Sequence, residues 1–402
     1  MATAPHHNGL GAWISKGLLV SLAFGPFLAP LAAQTRLVGY AQLPADSFRE
    51  GPPSTNAVKL LWRSPPSRWD HQPVQGISSL RPAPGNTYWA LSDNGFGARI
   101  NSSTYILCLY RLRIDWRTAA GGTGTVDVLE TVELKDPQHR AGFTIKRDWD
   151  RERRLTGADF DPESLEIGPG GNFWISDEFG PWLLMFSREG VLLGPPIPAA
   201  IEHKGKSRLV RSPDQAGWRA NLDRSRGFEG LCRHPGENKF YLLLEGNLRR
   251  EPADRLRLFE YIPGLPLVQS TNRRYRLEKA EHSIGELSWW PQRDCFLIVE
   301  RDWGHGPTAN FKRVFAWQPQ AGDAVKWEVA DLMSIQDPQH LADSTGSFTM
   351  PYVTIESVYP VDERTLLVCN DNNFPAKGGR STLARDATEF VLLLVDLESG
   401  RR

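Results

Sequence analysis

One hairpin pattern recurs five times along this 402-residue chain, and the repetition constrains the fold more than any other feature. The clearest copy is DPESLEIGPGGNFWISDEFG (161–180). The others are GISSLRPAPGNTYWALSDNGFG (76–97), GFEGLCRHPGENKFYLLLEGN (227–247), IGELSWWPQRDCFLIVERDW (284–303) and TIESVYPVDERTLLVCNDNNF (354–374). Each is a short strand, a turn rich in Gly, Pro or charge, and a strongly apolar strand ending in an acid, which predicts a β-hairpin. Two further strand-like runs follow most copies, such as RLRLFEYIP and RRYRLEK after the third. Each unit therefore reads as a four-stranded antiparallel meander. After the fifth copy only EFVLLLVDL remains, while TRLVGYAQLP (35–44) is a spare strand near the N-terminus.

The economical solution is an all-β ring in which the N-terminal strand completes the last sheet. Such a ring is a β-propeller, whose radial repetition leaves few open strand edges. Five blades can be counted, and a sixth could hide in residues 45–74 or in the long first interval, so five to six are expected. The 36 Gly, 30 Pro and 14 Trp suit many short strands joined by turns. With 47 basic and 47 acidic side chains the formal charge is zero, which gives no support to a nucleic-acid or anionic-membrane partner.

The first 33 residues differ from the rest. Lys16 precedes GLLVSLAFGPFLAPLAA, an apolar run ending in small residues before Gln34, and this reads as a secretory signal cleaved near Ala33. Gly25, Pro26 and Pro30 interrupt a run already short for a membrane anchor. The expectation is a signal peptide at 1–33 and one domain at 34–402, exported to the periplasm or beyond, monomeric and without a membrane span. Cys108, Cys232, Cys295 and Cys369 lie in apolar runs with no CxxC spacing, so buried free thiols are expected rather than disulfides.

Acids recur at two registers of the hairpin. Glu163, Glu229, Glu286 and Glu356 stand near the start of the first strand, where the 76–97 copy has Ser78; Asp93, Glu178, Glu245, Glu300 and Asp371 end the second. The innermost strand of a propeller blade lines the central channel, so these nine carboxylates would meet in one small volume. Two of them about 5 Å apart repel by roughly 3 kcal/mol at an effective dielectric near 20. Oxygen-only donors with no His/Cys cluster point to a hard cation, Ca²⁺ before others. The alternatives are salt bridges to RERR (151–154), Arg226, Arg301 or Arg380, and carboxyl groups sharing protons. His282 is the one imidazole in register with the repeat and is a candidate general acid or base, with a structural role as the plainer reading.

The motifs LTGADFDPESLEIGPGGNFWISDEFGPWLLMFSREGVLL, RGFEGL, HSIGEL, FLIVERD, KRVF, MPYVTIESV and LLVCNDNNFP together resemble the phytase-like family described as having esterase-like activity, over about residues 36–396. The resemblance implies a propeller that hydrolyses phosphoric or carboxylic esters of a small molecule with calcium held by the channel acids. Arg226, Arg301, Lys312 and Arg313 are then possible anion clamps, and His282, Arg226 and Arg301 the candidate catalytic side chains. The neutral overall charge does not favour a highly phosphorylated substrate, and no GxSxG elbow supports a serine esterase. A calcium-dependent lactonase-like propeller and a non-catalytic binding propeller with structural ions are the other two readings.

Overall fold

The computed structural model describes residues 35–56, 67–319, 325–343 and 345–396, so the expected leader at 1–33 lies outside the described residues. The chain is all-β. Strand β1 (Thr35–Leu43) opens it. Strands β2 (Ile77–Ala83), β3 (Thr87–Ser92), β4 (Cys108–Asp115) and β5 (Thr125–Glu133) pair antiparallel in chain order. The same holds for β6 (Pro162–Ile167), β7 (Phe173–Asp177), β8 (Trp182–Phe186) and β9 (Ile197–His203). It holds again for β10 (Phe228–His234), β11 (Lys239–Leu244), β12 (Arg255–Tyr261) and β13 (Val268–Arg276). Strands β14 (Ser283–Trp290), β15 (Cys295–Arg301), β16 (Lys312–Gln318) and β17 (Val325–Asp331) repeat the pattern.

The last run is β18 (Thr354–Pro360), β19 (Thr365–Asp371) and β20 (Thr388–Val395), and its fourth strand is β1, antiparallel to β20 from Thr35↔Val395 to Leu43↔Thr388. The spare N-terminal strand thus finds the place expected for it. Short parallel contacts, Gln42↔Thr125 and Ala199↔Val268, join two pairs of neighbouring runs into longer sheets. The first strands pack in a closed circuit, β2 on β6, β6 on β10, β10 on β14, β14 on β18 and β18 on β2.

The apolar faces left by period-two alternation are buried between successive runs. Trp89 and Leu91 pack with Phe173 and Phe186, Trp174 and Leu183 with Phe228 and Phe240, and Tyr241 and Leu258 with Phe296 and Ile298. Leu297 and Val314 pack with Val368 and Val391, and Leu367 and Phe390 with Leu80 and Tyr110, which returns to the first run. Each fully buried aromatic or large aliphatic side chain contributes about 1.5–3 kcal/mol. All four cysteines are buried, in keeping with their apolar surroundings in the sequence.

A β-bulge recurs at one place in all five hairpins, between Ile77 and Ser79, Pro162 and Leu165, Phe228 and Gly230, Ile284 and Glu286, and Ile355 and Ser357. The extra residue leaves the ladder and its side chain is re-aimed. The first strands come so close here that a Cβ on Gly285 would stand 2.0 Å from the Ile355 carbonyl oxygen, so only glycine fits.

Candidate active site

The bulges decide which acids meet. Glu163, Glu229 and Glu356 are bulge residues of β6, β10 and β18, and the corresponding residue of β2 is Ser78, whose hydroxyl donates to Glu356 Oε2 at 3.0 Å. In β14 that place belongs to Gly285. Glu286, expected among the ligands, sits one residue further along and one layer deeper. There it accepts from Ser164 Oγ (2.6 Å), Ser79 Oγ (3.1 Å) and Arg81 Nη1 (3.2 Å).

The second register shifts in the same run. Asp93, Glu178 and Glu245 donate their backbone N–H to Gly76, Asp161 and Gly227, and Asp371 pairs with Thr354. In the fourth hairpin the residue paired at this level, opposite Ser283, is Arg301. Glu300 is one residue earlier and therefore on the other face of the strand. It is saturated there by Tyr275 Oη (2.8 Å), the Glu278 backbone N–H (2.7 Å), His282 Nδ1 (2.8 Å) and Lys326 Nζ (2.8 Å). His282 goes with it, buried against Phe311. The structure thus brings together seven of the nine acids expected as ligands, and holds Glu286, Glu300 and His282 in separate networks.

An eighth carboxylate joins them. Asp161 lies opposite Glu178, its Oδ1 accepting from Asn94 Nδ2 at 2.8 Å. The other copies carry Gly76, Gly227, Ser283 and Thr354 at this level, so the repeat offered no signal for it. Arg81, the buried counter-ion of Glu286 and Glu166, was missed for the same reason.

Three overlapping sets emerge, Asp161–Glu163–Glu178, Glu163–Glu229–Glu356 and Glu178–Glu229–Glu245, each with carboxylate oxygens within 4.8 Å of one another. Oxygens on one Ca²⁺ at 2.3–2.6 Å lie no further apart than about 5 Å, so the donors fit that ion in type and spacing. Among the described residues, two guanidiniums reach these eight acids. Arg226 Nη1 donates to Glu245 Oε2 at 2.8 Å and to Ser283 Oγ at 3.0 Å, and Arg301 Nη2 lies 3.4 Å from Glu245 Oε1 and 4.0 Å from Glu356 Oε1. Both stack over the Trp303 ring. Arg301 is buried, and its Nε and Nη1 have no hydrogen-bond partner among the described residues. Lys312 instead pins the Trp303 loop, donating to the carbonyls of Asp302, Gly304 and Val353, while Arg313 pairs with Glu328 and Asp331.

Asp93 and Asp371 also line a cavity of about 470 Å³ beside the cluster. Its wall includes Trp303, Phe96 and Phe374.

Burial, and then the neighbouring carboxylates, push six of these acids toward their neutral forms. Asp371 is raised to about 6 and Glu356 to about 8, and Glu163, Glu178, Glu229 and Asp93 also rise well above the ordinary range. Asp161 is raised to about 6 by burial, against the Asn94 hydrogen bond. A carboxyl group with a raised folded pKa binds more protons folded than unfolded, so its contribution to stability is present below about pH 4 and is lost as pH rises through 6 to 8. Protein freed of divalent ions is therefore expected to melt at progressively lower temperature between pH 5 and pH 9. A flat or rising melting temperature across that range would contradict the repulsive cluster.

A family model described as "Phytase-like: Esterase-like activity of phytase" matches residues 72–374. The chain belongs to this phytase-like family. The matched segment contains all five hairpins and all eight clustered acids. A curated relative, an "Uncharacterized secreted protein" of Arthroderma benhamiae, is 30% identical over 184 residues, 38% of this chain and 36% of the relative's own length. The phytase-like chain thus matches about a third of that relative. Among solved structures, a PQQ-bound aldose sugar dehydrogenase of Streptomyces coelicolor is 12% identical at a TM-score of 0.36, covering 92% of this chain and all of its own. The Dos1 propeller is 10% identical at 0.32, covering 81% and 70%. Scores this low carry no argument about the phytase-like site. Among the described residues no helix is long and apolar enough to cross a membrane.

Proposed function

We propose that this phytase-like protein is an exported, calcium-dependent ester hydrolase built as a five-bladed β-propeller closed by its N-terminal strand. The closed circuit of five first strands, each leading a four-strand run, supports the blade count. Export is supported by the apolar run ending at Ala33 and by the secreted relative. The observation that carries the hydrolase reading is the opening of the acid cluster, through Asp93 and Asp371, into a cavity of about 470 Å³, with N–H groups of Arg301 that have no partner among the described residues beside Glu245 and Glu356.

Asp161, Glu163, Glu178, Glu229, Glu245 and Glu356 would hold the ion or ions. Bound there, calcium supplies charge neutralisation and Lewis acidity toward an ester oxygen. The chain's own groups do the rest. Arg301 presents the Nε–H and Nη1–H to an anionic oxygen of the substrate, and Trp303 holds that guanidinium flat. Asp371, which lines the cavity with its Oδ1 held by the Asn373 backbone N–H at 2.7 Å, accepts the proton of an attacking water. His282, committed to Glu300, has no part in this scheme.

A second reading, in which the ions only tie the blades together, draws on one observation: every acid of the three sets is buried. Hydrolysis of an aryl phosphate and an aryl acetate by the mature protein, with calcium and then with chelator, separates the two. Activity that chelation abolishes and calcium restores supports the hydrolase and names the ester class. Inactivity on both, with a large calcium-dependent rise in melting temperature, would leave the structural reading.

A further inference from the structure

We propose that the cavity beside the acid cluster takes the neutral, hydroxyl-rich part of the substrate, a polyol or sugar moiety, while the ester it carries lies at Asp93 and Asp371. This deepens the hydrolase reading and rests on it. The cavity's volume of about 470 Å³ lies in the range of small-molecule sites.

Its polar lining includes four amides, Asn56, Asn101, Asn372 and Asn373. Asn101 is fully buried, and neither its Oδ1 nor its Nδ2 has a partner among the described residues; Asn56 Oδ1 is buried and unpartnered as well. A carboxamide offers an acceptor and donors side by side, and a hydroxyl group answers both because it donates and accepts. Leaving such an amide unpaired is costly, so a ligand that satisfies it is favoured over one that cannot. Aromatic surface surrounds these groups. Phe96 and Phe374 are braced by Trp69, with ring centroids 5.5 and 5.0 Å away, and Trp303 is 44% exposed at the rim. Rings of this kind cover the C–H faces of a polyol while amides read its hydroxyls.

The charges argue against a polyanion. Asp93, Asp371 and Asp386 line the cavity against two basic side chains, His305 and Lys377, and the Lys377 Nζ already donates to the Leu383 carbonyl at 2.8 Å. The nearby guanidiniums of Arg226 and Arg301 face Glu245. Several phosphates would therefore meet carboxylates, whereas one ester group next to Arg301 would not.

The test is binding without turnover, on the calcium-saturated mature protein. Sorbitol, myo-inositol and glucarate, the last being the sorbitol chain with a carboxylate at each end, are titrated by calorimetry and by tryptophan fluorescence. Sorbitol or myo-inositol is expected to bind at millimolar concentration with a fluorescence change that Trp303→Phe removes. Asn101→Leu is expected to weaken binding at least tenfold. Tighter binding of glucarate than of sorbitol, no binding of either neutral polyol up to 0.2 M, or a fluorescence change that survives Trp303→Phe would overturn the proposal. Because no ester is cleaved in this experiment, its failure is distinguishable from loss of the hydrolase reading, which the aryl esters test.

Discussion

Replacing Glu229 by glutamine is expected to act in opposite directions with and without calcium. Glu229 belongs to two of the three oxygen sets and lies between Glu163, Glu178, Glu245 and Glu356. With calcium bound, the substitution removes a charged ligand from a site that binds by charge. Affinity should fall by about 100-fold, equivalent to about 2.7 kcal/mol, and the calcium-dependent gain in melting temperature should shrink with it. Without calcium the same change removes a repelling charge. Each neighbour within about 5 Å contributes roughly 3 kcal/mol of repulsion at an effective dielectric near 20, discounted wherever a proton is already bound. The metal-free variant should therefore melt a few degrees above the metal-free parent. Calorimetric titration and melting curves with and without chelator decide the matter. A variant less stable than the parent in both states would show that Glu229 is a packing element and that the cluster is not held by cations.

Arg301→Met carries the second large effect. Arg301 takes the place that acids occupy in the other four hairpins, buried between Glu245 and Glu356 with two nitrogen atoms that have no partner among the described residues. If those N–H groups meet the charge that develops on the ester, kcat should drop by about 10²–10³, as for removal of one oxyanion donor. Calcium affinity should hold or rise, since a competing positive charge leaves the cluster. Arg301→Lys is expected not to restore the rate, because a point charge cannot reproduce the planar fork. Unchanged kcat with weakened calcium binding would reassign Arg301 to holding the acids in place.

The acids show how far reading the chain alone could go. Glu163, Glu229 and Glu356 were legible because the repeat returned them at one register, and Asp93, Glu178, Glu245 and Asp371 at another. The fourth hairpin defeated the same reasoning. There Glu286 and Glu300 are 14 residues apart, against 15 or 16 elsewhere, and both are displaced by one position from the level where the others meet. A displacement of one residue in a strand reverses the face, which sends Glu300 to Tyr275 and Lys326 and brings Arg301 inward. Asp161 and Asn101 were invisible for a different reason: Asp161 stands at a level of the hairpin where the other copies carry Gly76, Gly227, Ser283 and Thr354, and Asn101 lies in the loop after the first hairpin, so neither recurs.

By itself, then, the sequence determined what is periodic. Alternating apolar residues specify strands, turn residues at each hairpin specify their antiparallel pairing, and a spare strand near the N-terminus matches a deficit near the C-terminus. These are local properties, set by side-chain period and backbone preference. Only the tertiary structure decided which faces converge. The bulges at Ser78, Glu163, Glu229, Gly285 and Glu356 each add one residue to a strand, and the close contact of β14 with β18 admits no side chain at Gly285. Those features arise from strands crowding around a common axis, a constraint that acts between residues hundreds of positions apart. They turn a list of acids into a cluster of eight with one arginine set in their ring.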